Sequence, residues 1–199
     1  MKKLLFLLFI ILSANTFAQE TEPKQTEEVL AKPGKGKCMV YIARRETAAL
    51  LVKFSIYDGD IFLGKLGAKK YFAYECDPGE HVFIAKGENT FYVDANLEEG
   101  KTYVMDLKIK VGIISARVSL NPIDQSNKKF EKEKKKILEF ISKKGGELLS
   151  EGNEAESEEN DNDQTIEPDS TMSNRLKKFY EMKEKGKKIT TITPDMYFN

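Results

Sequence analysis

The chain has 199 residues with 32 Lys+Arg, 32 Asp+Glu and one His, so its formal net charge is zero. That length fits one domain of ordinary size with extensions and leaves no room for two large domains. Apolar residues at 40% and charged residues at 32% imply a modest core with solvated segments, and the balanced charge offers no basis for nucleic-acid binding.

Residues 1–18 read as a secretory signal peptide. Lys2 and Lys3 precede the unbroken apolar run Leu4–Leu12, and Thr16-Phe17-Ala18 offers small residues at the peptidase positions. The apolar run is far short of the ~20 residues needed to span a bilayer. No Cys follows the run, so a lipid anchor is not expected. Cleavage after Ala18 removes two Lys and leaves a mature chain with net charge −2, exported to the periplasm or beyond. In an oxidising compartment Cys38 and Cys76 are a candidate disulfide. Two buried thiols packing as small hydrophobes are the alternative.

Residues 19–37, with Pro23, Pro33, Gly34 and Gly36, read as a flexible leader. From Cys38 the texture becomes short alternating runs closed by turn signals. In Cys38–Arg44, residues Cys38, Val40 and Ile42 fall on one face and Met39, Tyr41 and Ala43 on the other. Leu51–Tyr57 and Ile61–Gly64 flank Asp58-Gly59-Asp60 as a hairpin. Tyr71–Cys76 ends at the turn Asp77-Pro78-Gly79. His81–Ala85, Thr90–Leu97, Thr102–Val111 and Ile113–Leu120 complete about eight strands. Helical spacing and βαβ alternation are absent from this stretch, so residues 38–122 are expected to form a small antiparallel, Ig-like β-sandwich of all-β class.

Residues 123–146 change character. Ser126–Lys144 holds eight Lys and three Glu, with Phe130, Ile137 and Ile141 at helical spacing and Gly145-Gly146 as a stop. Residues 147–171 read as an acidic disordered linker, with nine acidic and no basic residues in 151–170. Residues 172–199 read as a short basic helix and tail, with Leu176 and Phe179 along one face. The first helix is expected to pack on the sandwich. The second is expected to reach a partner, so Phe130, Ile137, Ile141, Leu176 and Phe179 are the candidate contacts for an envelope protein or an anionic membrane surface.

The span from Lys37 to about Asp124 resembles the bacterial family called domain of unknown function 2846. The resemblance rests on Cys38–Arg44, on Ser55–Asp60 running into Leu63–Leu66, and on Tyr71-Phe72 leading to Asp77-Pro78-Gly79-Glu80-His81. Glu99-Gly100-Lys101-Thr102-Tyr103 completes it. It implies an exported β-sandwich and carries no activity with it.

No nucleophile elbow, metalloprotease helix or phosphate loop is present in the sequence, and no cofactor is implied. Cys76 and His81, facing across the Pro78-Gly79 turn, make a hydrolase the remote reading. The chain is therefore expected to be a non-enzymatic, envelope-associated interaction module. A peripheral membrane-surface protein acting through its basic helices is the alternative.

Overall fold

The computed structural model describes residues 29–111, 116–150 and 172–198. Residues 1–18, read above as a signal peptide, residues 19–28 of the expected leader and the acidic run 151–170 lie outside the described residues. Ten strands and two helices follow in chain order: β1 (Cys38–Arg44), β2 (Phe54–Asp58), β3 (Ile61–Leu66), β4 (Lys70–Cys76), β5 (Gly79–Lys86), β6 (Thr90–Leu97), β7 (Thr102–Val111), β8 (Ala116–Pro122), α1 (Phe130–Lys143), β9 (Glu147–Ser150), α2 (Asn174–Glu184) and β10 (Thr190–Ile192).

The strands make two five-stranded sheets, ordered β8-β7-β1-β4-β9 and β10-β6-β5-β2-β3. Inward residues of both sheets, including Val40, Ile42, Tyr103 and Met105 from the first and Phe54, Ile56, Phe83 and Val93 from the second, join in one core. The arrangement is sandwich-like and mainly β.

The sheets are mixed, which departs from the antiparallel expectation. β1 pairs β7 in parallel, β4 pairs β9 in parallel, and β6 pairs β10 in parallel. The cause of the first is the route of the chain. β6 lies in one sheet and β7 in the other, and the Glu98–Lys101 turn delivers β7 beside the start of β1. There Met39 N–H donates to the Lys101 carbonyl (3.0 Å) and Gly100 N–H to the Lys37 carbonyl (2.8 Å). Two strands that enter a sheet from the same end must run the same way.

Both faces of β1 are buried, because each sheet carries a helix on its outer side. Met39, Tyr41 and Ala43 meet Ile137, Leu138 and Ile141 of α1 in a second cluster. Arg45 reinforces this layer, with its guanidinium reaching Glu133 of α1 at 2.7 Å and Asp106 of β7. On the other sheet, Phe179 of α2 packs with Tyr57, Ile84 and Tyr92. Arg175 lies 3.9 Å from the centre of the Tyr57 ring, a cation–π contact. Ser173 caps α2 by accepting the Leu176 N–H and also pairs with Asp60 in the β2–β3 turn. The helix stops at Gly186, whose φ of +60° suits a glycine, with Gly186 N–H on the Lys183 carbonyl and Lys187 N–H on the Met182 carbonyl.

Several segments outside the expected sandwich are built into it. Leu30, in the leader, is buried beside α1, and Ala31 N–H donates to the Tyr41 hydroxyl at 2.8 Å. Residues 147–150, read as linker, form β9 at a sheet edge. Gly146 makes that strand reachable, since a Cβ there would fall 2.0 Å from the Tyr71 ring. The tail wraps round the sandwich: Phe198 N–H donates to the Thr102 carbonyl (2.7 Å) and its ring meets Phe130 edge-on at 5.7 Å.

Ile137 is wholly buried between α1 and its sheet. Ile137→Ala is expected to lower unfolding free energy by about 2–4 kcal/mol, by lost transfer energy and an unfilled cavity. Urea denaturation of the two proteins measures it, and a loss no larger than that of an exposed-site control would mean α1 is not part of the cooperative unit.

Candidate functional site

Strand β5 places His81 and Phe83 on its inward face, their rings stacked at 5.7 Å. His81 Nδ1 donates to Asp58 Oδ2 at 2.7 Å, and Nε2 faces the Asp77 carbonyl at 2.8 Å. The Tyr74 hydroxyl donates to the same Asp58 oxygen at 3.2 Å. A carbonyl oxygen can only accept, and so can an ionised carboxylate, so both ring nitrogens act as donors and the ring is an imidazolium. Burial opposes that charge, but the bond to Asp58, its negative charge and the Asp77 carbonyl outweigh it and raise the His81 pKa to about 9.

The two cysteines lie beside this network. Cys38 and Cys76 are directly opposed on β1 and β4, wholly buried, with Sγ atoms 3.4 Å apart. The Cys38 thiol also donates to the Asp77 carbonyl at 3.2 Å. Opposed residues on antiparallel strands have Cα atoms about 4.5–5.5 Å apart, within the span of a disulfide. As a hydrolytic pair Cys76 and His81 are poorly placed: the thiol is sealed in the core and both imidazole nitrogens are engaged. The cluster pins the Asp77–Gly79 turn to the β2–β3 hairpin.

The five expected contact residues are placed elsewhere than a free surface. Phe130, Ile137 and Ile141 are buried between α1 and one sheet, Phe179 is buried against the other, and Leu176 is half-buried in the same layer. An apolar stripe spent on the protein's own sheets is not open to a partner or a bilayer.

An open apolar surface lies at the end of the sandwich where β1 and β3 finish and β2 and β4 begin. Arg44, the last residue of β1, is wholly buried. Its guanidinium donates to the carbonyls of Ala48 (2.8 Å), Ala49 (2.7 Å), Val52 (2.5 Å) and Leu66 (3.3 Å), and it lies over the Phe54 ring at 4.9 Å. Burial is the main reason its pKa is lowered, partly offset by Glu46, yet a guanidinium remains a cation at neutral pH. Gripped in this way, the β1–β2 loop turns its side chains outward: Leu51 is 95% exposed, Leu50 60% and Val52 44%.

Beside that loop opens a cleft of about 640 Å³ lined by Leu50, Leu51, Leu66, Tyr71 and Phe72, with Lys53, Lys65 and Lys70 at its margin and Glu147 the acidic residue among them. Lys69 in the β3–β4 turn is exposed, as are Lys143 and Lys144, which precede the cleft-lining Gly145. Sequence reasoning missed this surface because it placed Leu51 and Val52 in a strand that begins only at Phe54. The signal was the run Ala48–Val52, apolar without alternation and bracketed by Arg44-Arg45 and Lys53.

A charge gained by folding makes stability depend on pH. With the folded His81 pKa near 9 and an unfolded value near 6.5, the stabilisation is complete below about pH 6.5 and lost as pH rises through 9. A fall of about 2 kcal/mol is expected over that window, less than the full 1.36 kcal/mol per unit because Nε2 sits near solvent. Denaturation curves at pH 6 and 9.5 test this, and Asp58→Asn should flatten the difference. Oxidation of the mature protein should also consume both thiols within one chain, giving up two hydrogens to a disulfide donor. A full thiol titre in denaturant after such treatment would sink the pairing.

No family model matches this chain, and searches of curated proteins and of solved structures also returned no match.

Proposed function

We propose that the chain is an exported, non-enzymatic β-sandwich module that associates with the cell envelope and works by binding. The observation that carries this reading is the loop Leu50–Val52, held rigidly outward by Arg44 beside a cleft with a lysine margin. A fold gains nothing in stability from a leucine that is 95% exposed, and contiguous exposed apolar surface is characteristic of contact sites. The N-terminal pattern of residues 1–18 supports export, and the resemblance to the domain of unknown function 2846 family supports the same compartment. The amphipathic stripes of α1 and α2 serve to close the outer faces of the two sheets, which leaves the cleft end as the contact surface. Among the described residues no helix is long and apolar enough to cross a membrane.

The test is fractionation of cells expressing the full chain and a Leu51→Asp variant. Point substitution is preferable to removing the tail, because losing α1 and α2 would strip both sheets of their cover. The full chain is expected to sediment with the envelope and the variant to shift to the soluble fraction. A full chain recovered wholly in the soluble fraction would overturn the reading.

A further inference from the structure

We propose that the partner of the cleft end is an anionic phospholipid surface, entered by Leu50, Leu51 and Val52 and held by lysines around them. This rests on the binding reading above and adds the chemistry of what is bound.

The argument begins with the distribution of charge on a chain whose total is zero. At the end of the sandwich where β1 starts, the turns carry Asp60, Asp77, Glu80, Glu98 and Glu99, interspersed with Lys35, Lys37 and Lys101, while buried Asp58 is matched by the His81 imidazolium. At the cleft end the exposed side chains are Lys53, Lys65, Lys69, Lys70, Lys143 and Lys144. Among the described residues the acids near them are Glu147, which lines the cleft, Glu139, which pairs with Lys143 at 2.5 Å, Glu46, which pairs with Lys108 at 3.0 Å, and Glu88 in the β5–β6 turn. The molecule is therefore polarised along the strands, and its basic end would face an anionic plane.

Although Ile61 at the opposite end, Leu148 on β9 and Tyr180 on α2 are exposed singly, the densest apolar exposure lies at that same basic end. Leu50, Leu51 and Val52 project there, and the parallel pairing of β1 with β7 brings exposed Val111 to the same end of its sheet. A protein groove would have to match a small prong ringed by flexible ammonium groups. A bilayer interface needs no such match: it takes apolar side chains below the headgroups and lysines at the phosphates, with the lysine stems lying along the apolar zone. The grip of Arg44 on four carbonyls means the loop meets the membrane already shaped, so little ordering cost is added on binding.

The experiment is co-sedimentation of the mature protein with phosphatidylcholine vesicles, with and without phosphatidylglycerol. Binding is expected only when phosphatidylglycerol is present and is expected to weaken with added salt. Each of Lys53→Gln, Lys65→Gln and Lys70→Gln should weaken it about five-fold. Leu51→Asp should weaken it about ten-fold or more, with circular dichroism unchanged because that side chain touches little. Lys187→Gln, on an exposed residue after α2, should leave binding intact. Equal losses for Lys187→Gln and Lys53→Gln would overturn the assignment by reducing it to diffuse attraction. Absence of vesicle binding, while Leu51→Asp still releases the protein from cell envelopes, would also overturn it. That second result assigns the cleft end to an envelope protein and leaves the binding reading standing.

Discussion

The cleft end of this molecule depends on one buried cation. Arg44 closes β1 at a point where the chain must leave the sheet, cross to the other layer and begin β2. The connecting residues are mostly apolar and make no regular pairing of their own. Their carbonyls would be left without donors in a region walled by Phe54 and Leu66. The guanidinium supplies those donors from one planar group, and the carbonyl dipoles in turn solvate a charge to which no carboxylate among the described residues is bonded. The two needs largely meet each other, with Nε alone left over, and the resulting geometry packs Ala48 and Ala49 on the core while Leu50, Leu51 and Val52 point outward. An arginine with its fixed fork suits this role where a lysine's single ammonium would not.

The two helices show the same principle applied to faces. A sheet with apolar residues on both sides must be covered on both, and α1 and α2 each cover one, so that the layers run helix, sheet, sheet, helix. The many lysines of α1 are then what remains on its outer side. Their number reflects the need to keep a surface helix soluble as much as any attraction to a partner, and Lys143 comes near the cleft by virtue of where that helix ends.

Alternation in the sequence located the eight strands between Cys38 and Pro122 to within a few residues, because each has one face in the inter-sheet core. It could not reveal pairing. Parallel neighbours such as β1 and β7 arise from how the chain moves between sheets, and alternation says nothing of that. β9 and β10 are too short to have a period, and their places are set by Gly146 and by the exit from α2. The stripe of α2 read as a partner surface because its own partner, the outer face of β2, β5 and β6, lies far off in sequence. The pairing of His81 with Asp58 was equally hidden, since the two are brought together across the β2–β5 pair. Cys38 and Cys76 were legible as candidates, and only their opposed register supplied the proximity.

The tail carries a consequence for how the fold is reached. Ser173 bonds Asp60 across 113 positions, the Tyr103 hydroxyl bonds the Pro194 carbonyl across 91, and Phe198 fills the seam beside Phe130. Contacts of such sequence separation close large loops before they return any energy, which places chains of this topology among the slow folders. A chain emerging N-terminus first can assemble the hairpins and dock α1 early, but the outer face of β2, β5 and β6 is not covered until α2 arrives. Until then that one face stays open to water. Completion is thereby tied to residues 173–198, whose path around the sandwich acts as the latch.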